Sequence, residues 1–269
     1  MDIRKKCQPH LWLLTGTVEG HVFAKSLLEE GWKITVSVVS DRASIPYEEL
    51  NLEKILIGAL ITEEDIRGVI LNARINHGGF NCVIDLTHPF ATKITGSISK
   101  VCKELGQPFL RYERAIDNFS DAFLIEKFSD LENYDLNKKS ILLAVGVRHL
   151  HEALTFARNS GASVYARVLA NPESIRKTLS SSISKTNFAV LNPSVSSSGI
   201  IEKALVRKWN IDGVICRQSG GRNEILWHQI CLSMNINLWL LKRPCEFKNI
   251  KSIDSYEKLI KRLNSFNIE

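Results

Sequence analysis

The chain has 269 residues, of which 44% are hydrophobic and 24% charged, a balance typical of a globular protein with one large or two modest α/β domains. The first apolar run, residues 11–14, is too short for the core of a signal peptide, and no later run approaches a membrane span. The formal charge of +6 favours anionic ligands, but the basic residues are scattered, which argues against nucleic acid as a partner.

Six cysteines contribute no recognisable metal site. None forms a Cys-x-x-Cys pair or a Cys/His spacing typical of metal ligands, and several fall in predicted strands or helices, where a thiol behaves as a small hydrophobic group. This usage is typical of a protein kept in a reducing cytosol, so the sequence predicts a cytoplasmic protein without a metal site. The cysteines lie at positions 7, 82, 102, 216, 231 and 245.

The first predicted strand turns directly into a helix through Thr15-Gly16-Thr17-Val18-Glu19-Gly20. Such a turn brings free backbone N–H groups and the positive end of a helix together, which is the layout of a phosphate site. The complete G-x-G-x-x-G fingerprint is absent, and many doubly wound domains have glycine here for packing alone. Phosphate binding and packing therefore remain equal alternatives for this turn.

The second predicted strand, residues 34–39, ends at Ser40-Asp41-Arg42-Ala43-Ser44, where a dinucleotide fold reads the adenosine ribose. An acidic residue at this place usually accepts from the ribose hydroxyls of NAD, whereas an arginine can meet the extra phosphate of NADP. Arg42 and Ser44 favour NADPH, while Asp41 keeps NADH possible. A purely solvated loop is the third alternative.

The stretch 81–114 is the most informative in the chain. Residues 82–86 predict a strand buried on both faces, because they form a short apolar run rich in β-branched residues. Pro89 suits the first turn of a helix over residues 90–105, and residues 109–112 predict the next strand.

Several polar residues of this stretch are predicted at one edge of the sheet. Ligands of open α/β sheets bind outside the carboxyl ends of the strands, and that is where Asp85, Thr87, His88, Arg111 and Arg114 are expected. The alternative is that Thr87 merely caps the helix and that His88 is an ordinary loop residue.

A second series of alternating strands and helices follows an acidic and aromatic crossing over residues 116–137, which includes a possible strand at 123–128. The sequence therefore predicts two domains, residues 1–134 and 135–269. The polar turn Ser219-Gly220-Gly221 follows a strand of the second series and could hold a carboxylate or phosphate through its N–H groups, with Arg217 or Arg222 adding charge. A tight turn that needs glycine conformations is the alternative.

These motifs carry a family resemblance. Asp85-Leu86-Thr87-His88-Pro89-Phe90-Ala91, followed by Gly106-Gln107-Pro108-Phe109-Leu110-Arg111, resembles the pattern of precorrin-6A reductases of cobalamin biosynthesis. Ala166-Arg167-Val168-Leu169 and the later Arg243-Pro244 also match, and the matches follow in order along nearly the whole chain.

The chain departs from the family at three loops. The family's Gly-Gly-Thr-x-Glu-Ala is kept at Gly16, Thr17 and Glu19 but not at Thr15 and Gly20. Its Lys, then Asn or Asp, before Ser-Gly-Gly is Arg217-Gln218 here, and Val147 interrupts its Thr-Gly-Arg loop before Arg148.

The resemblance implies an α/β protein of two Rossmann-like, doubly wound parallel-sheet domains that face a shared cleft. The N-terminal domain would hold NADPH, with NADH possible, and the C-terminal domain would bind a tetrapyrrole polycarboxylate. Hydride transfer would then reduce one double bond of precorrin-6A to give precorrin-6B. The alternatives are the cobalt-containing form of the same substrate and a non-catalytic nucleotide- or tetrapyrrole-binding regulator. A monomer is plausible, and the sequence predicts no oligomeric state.

The site expected from motifs and resemblance has three parts. His88 is the candidate proton donor, although water could serve instead. The expected cofactor-binding residues are Gly16, Thr17, Glu19, Arg42, Ser44 and Thr87. The expected substrate-binding residues are Arg111, Arg148, Arg167, Arg217, Ser219, Gly220 and Gly221, in which each arginine could equally be an ordinary surface residue.

Overall fold

A computed structural model describes residues 8–60, 62–192, 199–244, 250 and 252–266 of the chain. The strands of the described residues are β1 (His10–Thr15), β2 (Lys33–Val38), β3 (Lys54–Ile57), β4 (Cys82–Leu86), β5 (Phe109–Tyr112), β6 (Phe123–Ile125), β7 (Ser140–Ala144), β8 (Ser163–Val168), β9 (Phe188–Val190), β10 (Gly213–Arg217), β11 (Asn237–Leu241) and β12 (Ser252–Ile253).

The helices are α1 (Val18–Glu29), α2 (Asp41–Ser44), α3 (Glu63–His77), α4 (Thr92–Glu104), α5 (Val147–Asn159), α6 (Pro172–Leu179), α7 (Ile200–Lys208), α8 (Arg222–Met234) and α9 (Tyr256–Asn264). Short 3-10 turns lie at Ile45–Tyr47, Phe128–Asn133 and Lys185–Asn187. The serine run 196–198, which precedes α7 in the sequence, lies outside the described residues.

The strands form two six-stranded sheets in which the paired strands are parallel. The first has the order β12-β5-β4-β1-β2-β3 and the second β6-β11-β10-β7-β8-β9. From β3 to β12 the first sheet reads 3-2-1-4-5-6, the strand order of a dinucleotide-binding fold. The order in which strands are added to the sheet reverses between β1 and β4 in the first sheet and between β7 and β10 in the second, which confirms the predicted doubly wound α/β class.

Alternate residues of β1 feed two core layers, because successive side chains of a strand point to opposite faces. Leu11 and Leu13 pack in one layer with Phe23 and Leu27 of α1. Trp12 and Leu14 pack in the other with residues of α3 and α4. Burial on both faces explains why this strand reads as a continuous apolar run.

The boundary between the two compact units differs from the predicted division at residue 134. One unit comprises the described residues up to Ala115 and those from Pro244 onward, and the other comprises Ile116–Arg243. The strand β6 pairs with β11 of the second sheet, whereas β12 pairs with β5 of the first. Both are edge strands of two or three residues and carry little periodic signal. The sequence therefore did not show that β6 belongs to the second sheet and β12 to the first. The expected cleft between the domains stays a prediction.

The loop after β4 is longer than predicted. The helix α4 begins at Thr92 rather than at residue 90, and Pro89 lies in the loop instead of the first helical turn. Ala91 N–H donates to His88 O at 2.7 Å and closes a tight turn within this loop. The longer loop places Thr87 and His88 on irregular backbone at the edge of the sheet.

The cysteines within the described residues are buried, as predicted. Burial raises the pKa of Cys102 and of Cys231 to about 12, so these thiols are inert at neutral pH. Burial also raises the pKa of Cys82 and Cys216. Cys7 and Cys245 lie outside the described residues.

The assignment of α9 to the first unit gives a testable prediction. Leu259 and Leu263 of α9 are fully buried in the layer that contains α1, so Leu259→Ala should cost about 2–5 kcal/mol of unfolding free energy. Hydrogen exchange should show lost protection in β1 and β4, with β7 and β10 unchanged. Leu232→Ala, at a side chain that is 65% exposed, is the control. Lost protection in β7 and β10 instead would place α9 in the second unit.

Candidate functional site

The turns after β1 and β4 lie side by side, because these two strands are neighbours at the reversal point of the first sheet. Gly16 is exposed, and a Cβ added there would lie 3.7 Å from His88 N and from Thr87 Cα, an ordinary van der Waals distance. Neither packing nor a positive φ therefore requires glycine at this position. An open backbone at the start of a helix favours the phosphate interpretation for Gly16.

Gly20 is a packing residue. A Cβ added at Gly20 would lie 2.7 Å from Tyr47 Oη and 2.8 Å from Thr15 Cβ, both too close for real atoms. The Thr15 side chain is buried, and its hydroxyl donates to Ser37 O at 3.2 Å. The two departures from the family pattern thus explain each other, since the Thr15 side chain occupies the space that an alanine at position 20 would need.

Thr17 and Glu19 are both engaged within the first unit. The Thr17 hydroxyl donates to Leu86 O at 3.3 Å and makes no hydrogen bond to the first-turn amides of α1. Arg114 Nε donates to Glu19 Oε1 at 2.8 Å, and Arg114 Nη2 contacts the other carboxylate oxygen. Burial opposes ionisation of Glu19, but the hydrogen bonds and charge of Arg114, together with hydrogen bonds from the backbone and Thr17, hold the pKa of Glu19 below its usual value. Glu19 therefore ties the start of α1 to the segment after β5.

Asp85 and Arg111 form a buried ion pair at the ends of β4 and β5. Asp85 is fully buried and Arg111 is 2% exposed, with 2.7 Å between Arg111 Nη1 and Asp85 Oδ1. Asp85 also accepts from Thr87 N–H at 2.9 Å and from the Thr95 hydroxyl at 2.7 Å. The carboxylate thereby joins both strands, the loop after β4 and the first turn of α4.

Arg111 was expected to bind a substrate carboxylate, and the structure contradicts this. Its guanidinium also donates to Thr87 Oγ1 at 2.9 Å and to Glu113 Oε1 at 3.1 and 3.0 Å. Buried and facing two carboxylates of its own unit, the group has no side left for an external anion. The sequence did not show that Asp85 and Glu113 converge on one arginine.

His88 lies half-buried in the same loop, beside Gly16. Its Nδ1 accepts from Phe90 N–H at 3.2 Å, so the neutral ring carries its proton on Nε2. Its carbonyl oxygen accepts from Arg111 Nη2 as well as from Ala91 N–H. The predicted position of His88 at the edge of the sheet is confirmed, and its role as proton donor stays a prediction.

The segment after β2 separates two residues that were predicted to act together. Arg42 is exposed on α2, at the carboxyl end of the strand next to β1. Ser44 is 3% exposed, and its hydroxyl donates to Asp41 O at 2.7 Å and to Glu48 Oε1 at 3.2 Å. This hydroxyl therefore stabilises the turn itself, and a ribose contact by Ser44 stays a prediction.

The second sheet has a cationic edge at its own reversal point. Gly146 precedes α5 with φ +77°, and a Cβ there would lie 3.5 Å from Arg217 Nη2 at the end of β10. Burial lowers the pKa of Arg217 to about 10, so the group stays charged at neutral pH. Burial, with Arg217 and Arg148, lowers the pKa of His149. Positive charge is therefore concentrated at the N-terminus of α5.

Ser219, Gly220 and Gly221 were expected to cradle an external carboxylate, and the structure corrects this expectation. The N–H groups of Ser219 and Gly220 both donate to Oε2 of Glu224, at 2.6 Å for Gly220. Gly220 has φ +64° and Gly221 directly precedes α8, as the tight-turn alternative requires. The amides thus already hold a carboxylate of the chain itself, which a glutamate three residues after Gly221 could have indicated.

Arg167 lies at the end of β8 and is 7% exposed. Its Nε and Nη2 form no hydrogen bond with any described residue, and neither does Oε2 of Glu202, which is 3% exposed. Burial lowers the pKa of Arg167, while the charge of Glu202 opposes this shift. Arg167 is therefore a buried cation with two unsatisfied donors, whereas Arg148 is exposed in the first turn of α5.

Two kinds of feature are absent from the part of the chain that the structure describes. No three His, Cys, Asp or Glu side chains there come close enough together to bind a metal ion. No helix there has the length and apolar character needed to cross a bilayer.

The paired departures at Thr15 and Gly20 predict an energetic coupling. Gly20→Ala should destabilise the first unit, because its Cβ would collide with Thr15 and Tyr47. In the Thr15→Gly background the same change should cost less, by about 1–3 kcal/mol in a double-mutant cycle. Urea unfolding of the four proteins measures this coupling free energy, and additive costs would show that Thr15 does not fill the space at position 20.

Comparisons with known proteins lead to one family. The family model for precorrin-6x reductase CbiJ/CobK matches residues 10–264. A cobalt-precorrin-6A reductase of Synechocystis sp. is 26% identical over 243 residues, which cover 87% of this chain and 88% of that protein. A precorrin-6A reductase of Mycobacterium tuberculosis is 27% identical over 248 residues, which cover 91% and 93%.

A solved structure shares the fold. The structure named CobK precorrin-6A reductase superposes with a TM-score of 0.74 at 17% identity and covers 96% of this chain and 97% of that one. The family match and these relatives span nearly the whole chain, from β1 to α9, and confirm the resemblance read from the motifs. The chain therefore belongs to the precorrin-6x reductase CbiJ/CobK family and is an oxidoreductase.

Proposed function

We propose that the chain reduces one double bond of the precorrin-6A macrocycle with hydride from NADPH and so gives precorrin-6B. Membership of a reductase family implies a hydride donor, and a nicotinamide dinucleotide suits the first unit. The observation that carries the proposal is the open Gly16 backbone at the start of α1, beside Thr87 and His88 and at the reversal point of the sheet.

The first unit has the features that a dinucleotide requires. The α1 helix has 12 residues, and the Thr17 side chain leaves its first-turn amides uncapped, so they can bind a pyrophosphate with Gly16 and Thr17. Arg42, exposed after β2, would meet the ribose phosphate that distinguishes NADPH from NADH. Glu19 acts through Arg114, which orients the start of α1.

The residues of the chain position the reactants and supply a proton. When bound, NADPH supplies the hydride, and the conjugated macrocycle accepts it. His88 is our candidate donor of the proton for the reduced carbon: as an imidazolium it would release one proton and become the neutral ring, whose Nδ1 can accept from Phe90 N–H. The Asp85–Arg111 pair orients the loop that carries His88.

The second unit suits the carboxylates of the substrate. Arg217, Arg148 and the start of α5 concentrate positive charge around Gly146. Arg167 adds two unsatisfied buried donors at the neighbouring strand end. Each of these groups can pair with a carboxylate, and a macrocycle with several carboxylates can engage more than one of them.

Cobalt-precorrin-6A is the second candidate substrate, because relatives with either name match at 26% and 27% identity. In this reaction the cobalt would enter as part of the substrate. Anaerobic assays of NADPH oxidation with metal-free and cobalt-containing precorrin-6A decide between the two. Binding of both without oxidation would reject a reductase and favour a non-catalytic binding protein.

The phosphate site predicts a graded effect at Gly16. Gly16→Val should weaken NADPH binding by roughly tenfold or more while the protein stays folded, since a branched side chain would cover the amides that a phosphate must approach. Gly16→Ala is the matched control and should bind more tightly than Gly16→Val, because its Cβ makes ordinary contacts. Fluorescence titration gives both affinities, and thermal unfolding verifies the fold. Unchanged affinity in folded Gly16→Val would place the phosphates elsewhere.

The cationic edge predicts a separation between substrate and cofactor binding. Arg217→Ala should raise the substrate KM about ten- to a hundred-fold, which corresponds to about 1.5–3 kcal/mol for a lost charge-assisted pair, with NADPH affinity unchanged. Arg222→Ala removes the same charge from an exposed neighbour and serves as the control. Steady-state kinetics at two ionic strengths should show weaker salt dependence for Arg217→Ala. Damage to NADPH binding with an unchanged KM would mean that the two units have the opposite roles.

A further inference from the structure

The carboxylate of Glu224 fills the turn between β10 and α8. Glu224 is 1% exposed, and its Oε2 accepts from the N–H groups of both Ser219 and Gly220. Its Oε1 is buried and has no hydrogen-bond partner among the described residues. Two adjacent N–H groups that point at one oxygen form an anion site, and here the anion belongs to the chain.

The same turn is anchored on its other side by Gln218. Gln218 N–H donates to Leu241 O at 2.8 Å, and Gln218 Oε1 accepts from Arg243 N–H at 3.2 Å. Both bonds attach the turn to the end of β11. With Glu224 holding the next two amides, every backbone N–H from Gln218 to Gly220 has a defined acceptor, which leaves the turn one conformation.

Arg217 directly precedes this anchored turn, and its guanidinium lies beside Gly146. We propose that Glu224 is a positioning residue, whose carboxylate serves as a built-in anion that saturates the Ser219–Gly220 amides and holds Arg217 in place for the substrate. The proposal rests on the proposed function, because it assigns the substrate carboxylate to Arg217 instead of the turn amides.

A different arrangement would follow without Glu224. The two amides would be buried donors without an acceptor, and each such group is costly. The turn would then relax towards water or compete with Arg217 for the substrate carboxylate. Burial raises the pKa of Glu224, although the two amides and Arg243 oppose this shift, so the carboxylate is held there against a desolvation cost. The hydrogen bonds to the two amides are what offsets this desolvation, which supports a positioning role for Glu224.

The truncation Glu224→Ala provides a matched chemical probe, because it removes a CH₂–COO⁻ group of the size of acetate. We expect this variant to unfold roughly 2–10 °C below wild type. Its substrate KM should rise about tenfold, with kcat within about threefold of wild type. Acetate at constant ionic strength, with chloride as the balancing salt, should raise the Tm of the variant and lower its KM, and should leave wild type unchanged. If Glu224→Ala only lost stability and left no site for acetate, its Tm and KM would not respond to acetate.

Two further variants serve as controls for Glu224→Ala. Glu224→Gln keeps an oxygen acceptor for both amides and should retain a KM within about threefold of wild type. Glu173→Ala, at an exposed glutamate in the first turn of α6, is the control and should not respond to acetate. If acetate has no effect on Glu224→Ala, or acts equally on Glu173→Ala, the built-in anion is rejected.

If Glu224→Ala fails to fold, Glu224→Asp tests the same contacts. The shorter side chain cannot reach both amides, so hydrogen exchange at residues 219 and 220 should accelerate while β7 and β8 stay protected. Unchanged exchange there overturns the proposal. The Tm and exchange measurements need no substrate, so they report on Glu224 even if the wild-type protein fails to oxidise NADPH with any precorrin.

Discussion

The buried ion pair between Asp85 and Arg111 organises the edge of the first sheet. Removing two charges from water is costly, and such a pair is tolerated only when the remaining polar atoms are also satisfied. Here Thr87 and Thr95 complete the hydrogen bonds of Asp85, while Thr87 and Glu113 complete those of Arg111. Breaking a buried pair of this kind typically costs about 3–5 kcal/mol, because the surviving charge is left without compensation. The conformation of the loop after β4, and with it the place of His88, depends on this pair.

Five strands of each unit follow the same order, β3-β2-β1-β4-β5 in the first and β9-β8-β7-β10-β11 in the second. The two units differ in how their anion sites at the reversal point are occupied. In the first, Arg111 is neutralised by Asp85 and Glu113, while the backbone around Gly16 remains open. In the second, the turn amides are occupied by Glu224, and the neighbouring Arg217 is protonated at neutral pH. Backbone amides at a helix start suit the compact charge of a pyrophosphate. A guanidinium suits a planar carboxylate, and this difference is the physical basis of the proposed division between a cofactor edge and a substrate edge.

The sequence predicted features that depend on local patterns and missed those that depend on distant partners. The strand β4 has the predicted bounds, because an apolar run is a pattern that acts over a few positions. The partners of Arg111 and the pairing of Glu19 with Arg114, 95 residues away, have no local signature. Gly16 and Gly20 look alike in the sequence, and only the positions of Thr15 and Tyr47 show that one is open and the other packed.

The departures from the family pattern are absorbed by neighbouring residues, which explains how they are compatible with the family's fold. Thr15 directs its side chain into the space left by Gly20 and leaves the Gly16 backbone unobstructed. Arg217 replaces a lysine with a broader cation, and its Nη2 would lie at an ordinary contact distance of 3.5 Å from a Cβ at Gly146, so the turn before α5 accommodates it. The side-chain oxygen of Gln218 accepts from Arg243 N–H and so anchors the turn to the segment that follows β11. Each change is therefore accommodated by contacts within its own unit.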